Sequence, residues 1–594
     1  MDKYLNFQEE ISHELYKYFG AHIIDGGVVF RVYAPNALNV SVAGDFNNWN
    51  YKLNYLNRLS ENGVFEIFIE GISQWSTYKY GIFTTKDHYT EKSDPFGFYH
   101  ELRPNHASKI VDINEYSFSD DYWLSQRNCG FNKALNIYEL HVGSWFDSSD
   151  YVDLAFKLVP YLKKMAYNYV ELMPITEYPF DGSWGYQVTG FYSITSRYGS
   201  LNQFKEFVNI LHQNNIGVIL DVVPAHFVKD NHGLRLFDGS TLYQEAQESQ
   251  WGTLYFDYSK IFVQNFFISS VAYFFDVCHI DGVRMDAISN LIYYHGRKDF
   301  GLNSNGISFL KNMNQKLKDC YPDCILIAED SSDYSGVTNT IAQGGLGFDY
   351  KWDLGWMNDT LKYYQLDPIH KSYHHYELTF SMDYFFSERF IMPLSHDEVV
   401  HGKKTIIDKM WGTYDEKFSL AKNLYAYMFT HPGKKLNFMG NELAHFREWD
   451  ENKNLDWFLL DYPKHHSFKR YIQDLNQLYL NHDALFAYDY QSEGFRWLDV
   501  NRSDLSIFSY LRISASETLI VVLNMTKQEY PSYHIPVPNK GKYQELLNSE
   551  NEIYGGSNIT NANTIETIEQ ELMGYSQYID ICIAPYAAII FKII

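Results

Sequence analysis

Eight short apolar runs, each followed by a helix-like stretch, recur between about residues 134 and 440 of the 594-residue chain. In order they are "NIYELHV" (136–142), "YVELMPI" (169–175), "GVILDVV" (217–223), "GVRMDAI" (282–288), "ILIAED" (325–330), "FDYKW" (348–352), "IMPLSHD" (391–397) and "LNFMG" (436–440). Strands alternating with helices pair in parallel, and eight such repeats predict a closed (β/α)8 TIM barrel rather than an open sheet. The flanks have a different texture. From about residue 27 to 113, runs such as "GVVFRVYAP", "NVSVAGDFNNW" and "YKYGIF" are separated by turn residues, which predicts a β-sandwich. After about residue 485, "LSIFSYLR", "TLIVVLNM" and "YIDICIAPYAAIIFKII" predict a second. Phe7, Ile11, Leu15 and Phe19 lie four apart ahead of Gly20, the spacing of a short amphipathic helix with a glycine stop. The expected architecture is multidomain α/β plus all-β. A helical extension over 1–24 precedes an N-terminal β-sandwich over 25–115, the barrel over 116–484 and a C-terminal β-sandwich over 485–594.

The charge balance limits the partners. With 49 Lys and Arg against 73 Asp and Glu, the formal charge is −24, which provides no electrostatic footprint for nucleic acid or an anionic membrane. A neutral partner fits better. Five cysteines do not read as a disulfide framework, and the one close pair, Cys320 and Cys324, has no further ligand at zinc spacing, so no metal is expected. The first 20 residues lack the pattern of a signal peptide, and no apolar run approaches a membrane span. The expected location is cytoplasmic.

In a barrel, side chains at the C-terminal strand ends face the mouth, and the charged residues of the apolar runs gather there. They are Asp221 and His226 on the third run, Arg284 and Asp286 on the fourth, Glu329 on the fifth, and His396 and Asp397 on the seventh. Alternation along "GVRMDAI" puts Arg284, Asp286 and Ile288 on one face. Two carboxylates flanking one bond are the machinery of glycoside cleavage, one attacking the anomeric carbon and the other protonating the departing oxygen. A nucleophile must stay ionised, and Arg284 on the same face lowers the pKa of Asp286 and orients it. Burial near other carboxylates raises the pKa of Glu329, as a general acid needs. Taken singly, Arg284–Asp286 also reads as a structural ion pair, Glu329 and Asp330 as caps of a following helix, and the histidines as core residues. Their coincidence at four strand ends favours a site.

Those four segments resemble, in order and spacing, the α-amylase superfamily, glycoside hydrolase family 13. "NIYELHVGSW" (136–145), "PFDGSWGYQVTGFYSITSRYGS" (179–200), "DVVPAHF" (221–227), "LSHDEVVHGKK" (394–404) and "HPGKKLNFMGNE" (431–442) narrow the resemblance to the 1,4-α-glucan (glycogen) branching enzymes. "GDFNNWN" (44–50) resembles the carbohydrate-binding module, family 48, of that group, and "ENEIYGGS" (550–557) its C-terminal sandwich. The resemblance implies Asp286 as nucleophile, Glu329 as general acid and base, and Asp397 as the third carboxylate. It implies that His226, Arg284 and His396 bind hydroxyls or orient the nucleophile, that Asp221 orders the site and that Tyr186 stacks on the donor glucose. Trp49 reads as core or turn packing. The implied reaction moves an α-1,4-linked glucan from a donor chain to a 6-hydroxyl of an acceptor chain through a covalent intermediate. It calls for no organic cofactor or metal, and the two catalytic carboxyls are expected about 5 to 5.5 Å apart.

Two stretches depart from the family pattern. Leu443, Ala444 and His445 stand where members commonly show Phe, Gly and Gln, with consequences expected for local packing or acceptor contacts. The stretch 290–310 after the fourth run is shortened. The rival readings are a debranching or amylase-like hydrolase of the same superfamily and a glucan-binding scaffold with a silent site.

Overall fold

The computed structural model describes residues 6–59 and 61–594. Eight parallel strands close into a barrel in chain order: β1 (Asn136–Leu140), β2 (Tyr169–Leu172), β3 (Gly217–Val222), β4 (Gly282–Met285), β5 (Ile325–Ala328), β6 (Tyr350–Trp352), β7 (Phe390–Leu394) and β8 (Lys434–Phe438). β8 pairs back onto β1, Asn136 opposite Lys435 and Glu139 opposite Phe438, so the sheet has no free edge. Ile137, Tyr169, Ile219, Ile325, Ile327, Tyr350, Trp352, Ile391 and Leu436 pack together as the barrel interior. Their two-residue spacing on each strand fixes which neighbours point inward: Glu139 follows Ile137 by two, Asp221 follows Ile219, and Glu329 follows Ile327.

Outside run α1 (Tyr151–Met165), α2 (Leu201–Gln213), α3 (Ile261–Cys278), α4 (Ser304–Cys320), α5 (Leu354–Gln365), α6 (Tyr414–Thr430) and α7 (Pro463–Asn481). Local chemistry sets their starts. Asp150 accepts hydrogen bonds from the Val152 and Asp153 amides at the head of α1, and Ser200 and Gln203 form a capping box at the head of α2. The expected helix between the fifth and sixth strands is replaced by a long loop with a single 3-10 turn, Ile341–Gln343. β6 is correspondingly short, pairing only two residues with each neighbour.

Two expectations fail, the first at the N-terminus. Residues 1–5 lie outside the described residues, and over 6–19 the chain forms turns and one 3-10 turn, Leu15–Lys17, instead of a helix. Phe7, Leu15, Tyr16 and Phe19 are buried because the segment lies along α3. The Asn265 side chain accepts from the Ser12 amide and donates to the Phe7 and Glu10 carbonyls, Ser269 Oγ accepts from the Tyr16 amide, and Phe19 meets Phe262. The four-residue spacing thus marks contact points along another helix. Gly20 then opens a strand, Gly20–Ile24, inside the stretch expected to be helical, with φ +103°. The second failure is α3 itself. Its 18 residues are long and apolar enough to span a bilayer, contrary to the sequence reading, but 83% of that window is buried inside the protein. Covered by the N-terminal segment on one side and the barrel on the other, α3 is apolar all round because it is a core helix.

The N-terminal sandwich packs the sheet Gly20–Ile24, Gly27–Tyr33, Val64–Glu70, Asn57–Arg58 against a five-stranded sheet centred on Asn39–Gly44 and Thr77–Phe83. Buried Lys92 donates to the carbonyls of Asn231, Gly233 and Arg235 and so ties this module to the barrel. Trp49, read from the sequence as core or turn packing, sits at φ 59° in a turn and is 39% exposed. The C-terminal sandwich joins a six-stranded sheet to the pair Tyr530–Pro536 and Tyr578–Ile583. It is held by a fully buried ion triad, Asp489 contacting Lys434 of β8 at 3.0 Å and Arg512 at 2.8 Å.

Candidate active site

The structure brings seven of the eight expected site residues into one connected network at the C-terminal ends of β3, β4, β5 and β7 and the loop after β2, with Arg284 at its hub. Arg284 is inward-facing on β4 and 1% exposed. Its Nη1 donates to Asp221 Oδ2 at 2.6 Å and to Asp286 Oδ1 at 3.0 Å, while Nη2 lies 3.7 Å from Glu329 Oε2. Its guanidinium packs over Trp352 at 4.4 Å. A buried guanidinium demands anions, and three surround it. The strand ends at Met285, one residue before Asp286, and Ala287 takes the left-handed region at φ 48°. Ile288 therefore leaves the Arg284 face, against the simple alternation, and packs into the outer core. That turn has a use: the Ala287 amide donates to Glu329 Oε2 at 2.6 Å, linking the chain at the end of β4 to the carboxylate of β5.

Beside Arg284, whose Nη1 donates to it at 3.3 Å, Tyr186 OH donates to Asp221 Oδ2 at 2.6 Å and lies 3.3 Å from His396 Nε2, with the Tyr186 and His396 rings stacked 5.6 Å apart. The loop carrying Tyr186 approaches closely because residue 185 is glycine: a Cβ there would lie 2.1 Å from the Pro174 carbonyl oxygen, and φ is +93°. Asp397, on the 3-10 turn His396–Val399 after β7, lies 3.7 Å from His396 Nε2, and its side chain is 54% exposed toward the mouth. His226 is the residue not brought into this network. It is buried after β3, its ring 4.8 Å from Trp251, and its Nδ1 has no partner among the described residues.

Two participants escaped the sequence reading. Glu139 of β1 accepts from His396 Nδ1 at 2.6 Å and from the His396 amide at 2.9 Å. Trp352 of β6 supports Arg284. The available signal was a carboxylate two positions after Ile137, inward by the same alternation that revealed Arg284. Glu171 of β2 is also buried, with both carboxyl oxygens unpartnered among the described residues; burial, then Glu139 and Asp221, push it well above the carboxylate range.

The electrostatics differ from the expectation at Asp286. Burial raises the Asp286 carboxyl well above its ordinary value, with Glu329, Asp221 and Asp397 adding to the rise and Arg284 opposing it. Burial likewise raises Glu329, against Arg284 and the Ala287 amide. Arg284 thus acts in the expected direction, but desolvation outweighs it. The two carboxyls share the Arg284 guanidinium, at 3.0 Å from Asp286 and 3.7 Å from Glu329, and titrate as a pair. Burial lowers His226 to about 4. It also works against the His396 cation, yet Glu139 and Asp397 lift that group to about 9, and the resulting imidazolium is the main cause that lowers Asp397.

The departure at 443–445 shows as local packing. Leu443 and Ala444 are buried, Ala444 at φ 55°, and His445 Nε2 accepts the Asp456 amide at 3.3 Å. Asp330 caps no helix; it pairs with Lys351 at 2.8 Å.

Residues 18–97 match carbohydrate-binding module 48 (isoamylase N-terminal domain), 154–259 the α-amylase catalytic domain, and 497–594 the α-amylase C-terminal all-β domain. Among solved structures, a pullulanase from Bacillus acidopullulyticus superposes with TM-score 0.72 at 16% identity over 99% of this chain and 76% of its own, a likeness of fold. Whole-length relatives are closer in sequence. The 1,4-alpha-glucan branching enzyme GlgB of Halothermothrix orenii is 44% identical over 100% of this chain and 98% of its own. The enzymes of the same name from Fusobacterium nucleatum, at 44% over 100% and 98%, and Bacillus subtilis, at 42% over 100% and 97%, match as fully. With that identity carried across all three domains, and an acid-lined barrel mouth of the kind described, the chain belongs to the 1,4-α-glucan branching enzyme family.

Proposed function

We propose that this protein is a 1,4-α-glucan branching enzyme in which Asp286 is the nucleophile, Glu329 the general acid and base, and Asp397 the third carboxylate. The observation that supports the reading is the Arg284 clamp, 3.0 Å to Asp286 and 3.7 Å to Glu329, which holds two carboxyls side by side at one barrel mouth. Asp286 attacks C1 of an α-1,4-linked donor glucan as Glu329 gives its proton to the departing oxygen. The carboxylate is then esterified to the glucan. Glu329, now a base, takes the proton of a 6-hydroxyl on an acceptor chain, whose oxygen displaces Asp286 and leaves an α-1,6 branch with the anomeric configuration retained. His396, held by Glu139, and Asp397 face the sugar as donor and acceptor. Tyr186 offers its ring to the donor glucose, Asp221 and Arg284 hold the nucleophile, and His226, beside Trp251, lies where it can meet a sugar hydroxyl.

The test uses linear amylose and proton NMR. The α-1,6 anomeric signal is expected to grow while reducing ends stay flat, and Asp286→Asn is expected to lose transfer by more than about three orders of magnitude. Wild-type activity in that variant would sink the assignment. Rising reducing ends without an α-1,6 signal would favour the hydrolase reading, since the same residues serve water as acceptor.

A further inference from the structure

Among the carboxyls gathered around the two cations of the site, Arg284 and His396, Glu171 of β2 has neither a hydrogen-bond donor among the described residues nor access to solvent. Glu139 accepts from the His396 ring and amide, Asp221 from Arg284 and Tyr186, Asp286 from Arg284, and Glu329 from the Ala287 amide. Asp397 is half exposed. Glu171 is 1% exposed, and both of its carboxyl oxygens lack a partner among the described residues.

The barrel register fixes where it points. Glu171 follows inward-facing Tyr169 by two positions, so it faces the interior too. Its opposite neighbours are Glu139 on β1 and Ile219 on β3, which puts it one inward position below Asp221, itself opposite Arg284 on β4. The Asp221–Arg284 pair leaves two buried atoms over. Asp221 Oδ1, an acceptor, and Arg284 Nε, a donor, are both without partners among the described residues.

A carboxylate only accepts, and burying one without a donor, beside two other carboxyls that already take the available cations, is costly. Burial, Glu139 and Asp221 accordingly push Glu171 well above the carboxylate range. With its proton, the group offers one O–H and one C=O, the complement of the two atoms that the pair leaves over. Since none of these atoms bonds directly to another, the connection runs through water, which at a buried polar site makes two to four hydrogen bonds. A metal ion does not fit that place, because the carboxyls among the described residues do not gather into a set that could hold one.

We propose that Glu171 is a positioning residue for glucan transfer: through bound water its O–H and C=O brace Asp221 and Arg284 on the side away from the mouth, and so fix the guanidinium against Asp286. The inference rests on the role given to Asp286 above. Glu171 takes no part in the bond changes; it acts through the hold on Arg284.

Infrared difference spectra of wild type against Glu171→Gln at pH 7 read the C=O stretch of a protonated carboxyl. A band present in the wild type and lost in the variant is expected, and no such difference overturns the proposal. Transfer rates then compare Glu171→Gln, which keeps a donor and an acceptor, with Glu171→Met, which keeps neither. Glu171→Met is expected to lower kcat at least about tenfold with the amylose KM changed less than about threefold, and Glu171→Gln to recover most of that loss. Wild-type kcat in a folded Met variant, a loss carried in KM instead, or a Gln variant as slow as the Met variant overturns the bracing role. If Glu171→Met does not fold, Glu171→Gln decides alone, and a kcat lowered about tenfold or more overturns the role. A wild type that forms no α-1,6 linkages from amylose overturns the branching function instead, a result on which the infrared band does not depend.

Discussion

Replacing Glu139 by Gln removes one charge from the barrel interior and keeps one of the two oxygens that accept from the His396 ring and main chain, so the ring bond can be retained while the main-chain bond is lost. In the wild type those bonds are 2.6 and 2.9 Å, and His396 sits at about 9 although burial works against its cation. His226 shows what burial does at the same mouth without such an anion: it lies at about 4. Asp397 remains near His396 in the variant but is half exposed and 3.7 Å away, so it sustains only part of the rise. A fall of His396 to below about 7 corresponds to a loss of roughly 3 kcal/mol in preference for the charged ring. The consequence for catalysis is an alkaline limb displaced downward. Because the ring donates from Nε2 only while protonated, transfer at pH 7.5 is expected to fall about tenfold and to recover toward pH 5. Stability carries the sign of a raised histidine. Its contribution is fully present below the unfolded value of 6.5 and is lost as pH rises through about 9, so the urea-denaturation gap between wild type and variant is widest at low pH and closes above 9. Initial rates on amylose from pH 5 to 9, with imidazole NMR of His396, test both. An unmoved alkaline limb, or His396 still titrating near 9 in the variant, would refute the reasoning.

Asp489→Asn leaves Lys434 and Arg512 buried without their shared anion, so a loss of about 3 to 5 kcal/mol is expected, read as a lower denaturation midpoint and earlier proteolytic release of the C-terminal sandwich. A change within about 1 kcal/mol would show that the triad does not hold that interface. Ala444→Gly relieves a left-handed alanine at φ 55°; set against the greater freedom of an unfolded glycine, the net gain is expected to reach at most about 1 kcal/mol, with branching unchanged. Destabilisation by more than that in thermal unfolding would mean that the Ala444 methyl group packs better than its strain costs.

Much of the site was legible because strand alternation is local. Alternation set Arg284 and Asp286 on one face, and Asp221 and Glu329 were found by their place at the C-terminal ends of the third and fifth runs. Glu139 obeys that alternation too, but its importance lies in a bond to His396, 257 residues away in the chain, which no local pattern carries. The four-residue spacing of Phe7, Leu15 and Phe19 misled for the converse reason. Burial against α3 produced a helical period in a segment whose backbone is satisfied by Asn265 and Ser269. The apolar length of α3 likewise has one meaning in a bilayer and another in a core.

What the sequence by itself determined was the count of barrel strands, the identity of the charged residues at their ends and the all-β flanks, since hydrophobic period and turn chemistry act over a few residues. Only the tertiary structure decided which carboxyl stands nearer Arg284, which group charges His396 and which carboxyl is left without a donor. Those outcomes depend on desolvation and on distances of a few ångströms between segments far apart in the chain, and such distances exist only once the barrel has closed.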